Sequence, residues 1–154
     1  YVNKASILLK TAKTALEQAN IDNFQLDAEI LLAHALGRNR LFVLTEGAYL
    51  VSKPEEEGFW ALIEKRLAKM PEAKIIGYKE FYDLTFKVNQ NVLDPRPETE
   101  LIITEVLALN RLKPLSNILD LGTGSGCLAI TLAYHLSQAK LLASDISEAA
   151  LEVA

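Results

Sequence analysis

Up to Pro71 the apolar residues recur every three or four positions, and beyond it they alternate with polar ones, so the chain predicts helices first and strands afterwards. Ile7, Leu8, Ala12, Ala15, Leu16 and Ala19 share one face of a helix over 2–19, with Lys4, Lys10, Lys13 and Glu17 mostly opposite. Asn20 to Asn23 reads as a turn, and a second helix runs from Phe24 to Leu36. Asp27 and Glu29 fall near its start, where negative charge suits the helix dipole, and Gly37 stops it. Arg40 to Thr45 predicts a short helical turn or two. Ser52 and Glu55 form a capping box for the next helix, and Pro54 fits its first turn. Trp60, Ile63, Leu67 and Met70 make its apolar stripe, with Phe59 and Leu62 beside it, until Pro71 ends it. Residues 1–72 therefore read as a small helical bundle.

Residues 73–92 read as a linker and a β-hairpin. Phe81, Leu84, Phe86 and Val88 alternate with Thr85, Lys87 and Asn89, with Asp83 as the tight-turn residue and Gly77 as a hinge. Residues 93–154 open with Leu93 and then Asp94-Pro95-Arg96-Pro97-Glu98-Thr99-Glu100, held extended by two prolines. Pro97 opens a helix to about Leu109, with Leu101, Ile102, Val106 and Leu109 as its apolar face. A buried strand at 117–121, a glycine-rich turn, a helix through Leu128, Ala129, Ile130, Leu132 and Ala133, and a strand at 140–145 follow; Ser147 caps a last helix. The expected class is α plus α/β, with two parallel strands in the second part.

Composition narrows this little: 154 residues, 50% hydrophobic and 23% charged, suit one ordinary domain or two small ones. The net charge is −4, and all of the acidic excess lies beyond residue 70. No basic block offers a grip on nucleic acid, so direct nucleic-acid binding is not expected. The single cysteine, Cys127, excludes an internal disulfide and fits a reducing cytoplasm. No membrane-length apolar run and no secretory segment is visible, so a cytoplasmic location is expected; the absence of an initial Met suggests a trimmed start or an incomplete sequence.

The chemistry concentrates at Asp120-Leu121-Gly122-Thr123-Gly124-Ser125-Gly126. A strand, glycine turn and helix open many nucleotide-type cofactor sites. The dinucleotide pattern G-x-G-x-x-G needs its third glycine where Cys127 stands, which disfavours a dehydrogenase. Asp120 beside a pyrophosphate would be repelled by roughly 1 kcal/mol or more. S-adenosylmethionine carries a sulfonium and an ammonium and no phosphate. Asp120 can face that ammonium, and Asp145, ending the next strand, can accept from the ribose hydroxyls. The candidate cofactor residues are therefore Asp120, Gly122, Thr123, Gly124, Ser125, Gly126 and Asp145. Cys127 reads as packing rather than a nucleophile. His34 and His135 have no second ligand at metal spacing, so no metal is expected.

Three stretches carry a resemblance to the protein release-factor glutamine methyltransferases, the PrmC or HemK family. They are Pro71 to Gly77 continuing through Lys79-Glu80-Phe81-Tyr82, then Pro95-Arg96-Pro97-Glu98-Thr99-Glu100, then Leu119 to Gly126. The middle one discriminates, because many methyltransferases share the glycine loop. Asp94 departs from the apolar residue usual before that signature, and Lys74 from a frequent aromatic. The resemblance implies a helical substrate-recognition domain and a Rossmann-like methyltransferase domain. It implies S-adenosylmethionine as cofactor, and as partner a peptide chain release factor, methylated on the glutamine amide of its Gly-Gly-Gln loop. It also implies an Asn-Pro-Pro-Tyr motif, expected beyond Ala154, so no catalytic residue is assigned here. Arg96, Glu98 and Glu100 either border the pocket or fix its loop. Two other readings are a related methyltransferase with another protein or RNA acceptor, and a non-catalytic fragment whose bundle binds a partner.

Overall fold

The computed structural model describes residues 3–154. The chain forms two compact units, the first closing at Ile76 and the second opening at Gly77.

The first unit is β1 (Asn3–Lys4), α1 (Ala5–Gln18), α2 (Phe24–Ala35), α3 (Arg40–Thr45), β2 (Leu50–Val51), α4 (Lys53–Leu67) and α5 (Glu72–Ile76). The helix expected from residue 2 starts later. Val2 lies outside the described residues, and Asn3–Lys4 pair antiparallel with Leu50–Val51, which takes their backbone out of the helix. The Ala5 N–H then donates to the Tyr49 carbonyl at 2.9 Å. Leu16, Leu31, Leu32, Phe59 and Ile63 are fully buried together. Each contributes roughly 1.5–3 kcal/mol over exposure. The stripe on α4 is rotated from expectation: Phe59 and Ile63 are its buried residues, Trp60 and Leu67 pack partly, and Met70 is exposed beyond the helix end. The capping box forms, with the Ser52 N–H donating to Glu55 Oε2 at 2.8 Å.

Asp27 and Glu29 are buried, which the dipole reading did not foresee. Arg66 Nε donates to Asp27 Oδ2 at 2.6 Å, joining α4 to α2. Glu29 takes Lys13 Nζ at 2.6 Å from α1 and Arg40 Nε at 2.7 Å from α3. Burial alone would push the Glu29 carboxyl up, but the hydrogen bonds and charges of Lys13 and Arg40 outweigh it and hold it below the ordinary range.

The second unit is β3 (Tyr78–Phe81), β4 (Leu84–Lys87), a 3-10 turn (Pro97–Thr99), α6 (Glu100–Leu112), β5 (Asn117–Leu121), α7 (Cys127–His135), β6 (Lys140–Ser144) and α8 (Glu148–Leu151). β3 and β4 form the expected hairpin, and β5 and β6 pair in parallel with α7 as the crossover. Phe81 and Phe86, edge to face at 6.1 Å, pack with Ile103, Leu132 and Leu136 from α6 and α7. The buried residue of α6 is thus Ile103, flanked by Val106 and Leu107, whereas Leu101, Ile102 and Leu109 are exposed. β5 is also less covered than expected, because α6 and α7 pack on Ile118 while Leu119 and Leu121 stand open. Among the described residues no helix is long and apolar enough to cross a membrane.

Candidate cofactor cleft

Every glycine of the loop after β5 has a positive φ: +77° at Gly122, +57° at Gly124 and +75° at Gly126. An L side chain at these positions meets its own backbone, so the sequence spends three glycines here. At Gly126, the N-cap of α7, a Cβ would also lie 2.9 Å from Ile130 Cδ1 and 3.1 Å from Ala154 Cβ.

The resulting turn uses its own donors internally. The Gly122 and Thr123 N–H groups donate to the Ser144 carbonyl at 2.8 and 2.9 Å. The Gly124 N–H donates to Asp145 Oδ2 at 2.8 Å, and the Gly126 N–H to the Thr123 carbonyl at 2.9 Å. A loop that cradles phosphate aims such donors at the ligand. This one turns three of them toward the end of β6 and the fourth back into the loop.

Acceptors are left on the ligand side. Asp120 and the loop line a cleft of about 180 Å³ with Leu93, Asp94, Pro95, Arg96 and Thr99. Asp120 Oδ2 accepts the Thr123 hydroxyl at 2.8 Å. A carboxylate has about four acceptor sites, so capacity remains for a donor in the cleft. Gly122, Thr123, Gly124 and Ser125 share this lining; Gly126 and Asp145 do not. Asp145 instead braces the loop. Backbone N–H groups of Ser147 and Gly124 donate to it and hold its carboxyl below the usual carboxylate range. Ser147 caps α8 as expected, its hydroxyl accepting the Ala150 N–H at 3.2 Å.

Of the proline-rich signature, Pro95, Arg96 and Thr99 reach the cleft lining, and Glu98 and Glu100 do not. Glu100 Oε1 accepts the Tyr82 N–H from the hairpin turn at 2.8 Å. Leu93, Pro95 and Thr99 were not foreseen in the lining; the extended Pro-x-Pro backbone was the signal for them. Cys127 also lines the cleft, but burial pushes its thiol up, away from the reactive thiolate. Among the described residues no group of three potential ligands could hold a metal.

Comparison with known proteins matches this division. Residues 8–77 match the PrmC N-terminal domain, and residues 98–154 match the methyltransferase small domain. The release factor glutamine methyltransferase of Chlorobaculum tepidum is 43% identical over 152 residues, covering 96% of this chain and 52% of that protein. The protein of the same name from Aliivibrio fischeri is 40% identical over 148 residues, covering 96% and 51%. A bifunctional methyltransferase of Rickettsia prowazekii is 39% identical over 165 residues, covering 96% of this chain and 32% of its own length. The chain spans about half the length of the release factor glutamine methyltransferases it matches, and it joins a segment like the PrmC N-terminal domain to one like the methyltransferase small domain.

Proposed function

We propose that this chain supplies the cofactor cleft and the recognition bundle of an enzyme that methylates release factors. The reaction is methyl transfer from S-adenosylmethionine to the side-chain amide of the glutamine in a Gly-Gly-Gln loop. The observation that carries the cofactor is the direction of the loop's hydrogen bonds. Its N–H groups at Gly122, Thr123, Gly124 and Gly126 are engaged inside the protein, while the Asp120 carboxylate lines the cleft. Such a surface favours a cation over a phosphate. S-adenosylmethionine, whose ammonium is a donor, fits this acceptor in the cleft, and when bound it supplies an electrophilic methyl on a sulfonium.

The chain's own residues then have assignable work. Asp120 holds the ammonium of the methionine end. Gly122, Thr123, Gly124 and Ser125 would shape the wall of that site, and Gly126 starts α7. Asp145, beyond Gly124, keeps acceptor capacity for the ribose. The cleft is smaller than the roughly 300–1,000 Å³ of a complete small-molecule site, consistent with its taking only part of the ligand. An amide nitrogen is a weak nucleophile and needs positioning and charge stabilisation. No residue of this chain is assigned to that step. The helical unit is assigned to recognition of the release factor, in the cytoplasm, without contact to nucleic acid.

Methyl transfer tests this. A protein carrying this sequence with the remainder of a methyltransferase domain is expected to label a release factor, and to stop when the loop glutamine becomes alanine. Undiminished labelling of that alanine substrate would replace the acceptor in this reading. Calorimetry on the 154-residue chain alone should show weak or no S-adenosylmethionine binding; tight NADH binding instead would overturn the cofactor.

A further inference from the structure

Resting on that cofactor reading, we propose that Glu100 and His135 are positioning residues: together they clamp the Tyr82–Asp83 hairpin turn and so hold the two walls of the cleft in register. One wall is the segment Leu93–Thr99, which leads directly into α6 at Glu100. The other is the glycine loop, which leads into α7, whose first two residues, Cys127 and Leu128, line the cleft and whose last is His135. The walls are far apart in sequence, and the hairpin turn touches the elements that follow both.

The turn is held at three points. Tyr82 is a non-glycine residue at φ +58°, a conformation kept only where its surroundings over-determine it. Its N–H donates to Glu100 Oε1 at 2.8 Å across 18 residues. Its ring stands edge-on to the His135 imidazole, centroids 5.4 Å apart. The neighbouring Asp83 lies 3.1 Å from His135 Nε2 through Oδ2. An ionised carboxylate only accepts, so that ring nitrogen donates. Tyr134 buttresses the imidazole from α7 at 5.2 Å. Beneath the turn, Phe81 packs with Ile103 and Leu132. The N-terminus of α6 and the C-terminus of α7 are thereby joined through one tight turn, and the wall at Arg96–Thr99 has Glu100 as its fixed end. Glu100, outside the cleft lining, thus acts on the cofactor through the backbone ahead of it.

Two measurements separate this from a merely structural role. In the 154-residue chain, Glu100→Ala should raise amide exchange at Tyr82 by roughly tenfold or more, with Leu31 and Leu32 unchanged in the helical unit. Glu100→Gln, which keeps a carbonyl acceptor, should restore protection, and His135→Leu should give a smaller loss. Equal exchange in wild type and Glu100→Ala would overturn the clamp. In the active enzyme, Glu100→Ala should raise KM for S-adenosylmethionine roughly tenfold while kcat stays within about threefold, with rescue by glutamine. Faster exchange with an unchanged KM would overturn the positioning role. An enzyme that transfers no methyl group even as wild type would instead refute the functional reading, leaving the exchange result to decide the clamp.

Discussion

In the helical unit Leu16, Leu31, Leu32, Phe59 and Ile63 are fully enclosed, and even the acids Asp27 and Glu29 are drawn inward and paired. In the second unit Leu119, Leu121 and Leu142 stand 56%, 74% and 65% exposed on a sheet of two strands. The contrast follows from geometry. Helices can surround a core from all sides, whereas α6 and α7 cover one face of β5–β6 and leave the other bare. Two strands alone are marginal in water. The helical unit is therefore expected to be the more stable part of this chain, and the sheet unit the first to open.

The largest expected effect tests the separation itself. Phe59→Ala should cost the helical unit about 3–5 kcal/mol. Urea unfolding followed by Trp60, the single tryptophan, should report it, while amide protection in β5 and β6 stays as it was. Equal loss in both units would show one cooperative body. Asp27→Ala should cost about 3 kcal/mol by stranding the half-buried Arg66, read by the same fluorescence. Acid should loosen this unit by the same logic at Glu29. Its folded pKa lies below the unfolded one, so its contribution is present above the unfolded value and is lost as pH falls through the folded one. A urea midpoint that did not fall over that acid range would contradict the pairing. Gly126→Ala should cost the sheet unit about 2 kcal/mol through its positive φ and the contact with Ile130, read as exchange in α7. Thr131→Val runs the other way. The Thr131 hydroxyl is buried with no hydrogen-bond partner among the described residues, so its removal should stabilise α7 by about 1 kcal/mol, visible as slower exchange.

What could be read in advance depended on distance along the chain. The Ser52–Glu55 box, the Ser147 cap and the glycines at positive φ are local, and their chemistry was visible in a few residues. The hairpin alternation held for the same reason. The pairing of Asp27 with Arg66 spans 39 residues, and no local pattern distinguishes a paired acid from one that serves a helix dipole. The α6 sequence Leu101-Ile102-Ile103 offers more than one apolar face, and only packing against Phe81 and Leu132 selects Ile103. The two-residue strands β1 and β2 are too short to carry a period. At the candidate site, Asp120 and the loop were legible as a group, but the bond from Gly124 to Asp145 needed the strand pairing to become visible.

The parallel register of β5 and β6, from Asn117 opposite Lys140 to Leu121 opposite Ser144, has a consequence for how such a chain can change in length. The crossover must leave at one end of the strands and return at the other. At the return end, Ser137 and Gln138 form an exposed turn before β6, where an inserted residue adds surface and leaves the ladder as it is. At the departing end, one residue added between Gly122 and Gly126 would pull the turn off Ser144 and Asp145 together. Insertions and deletions are thus admissible on one side of this small sheet and excluded on the other, a polarity set by the ladder before any ligand arrives.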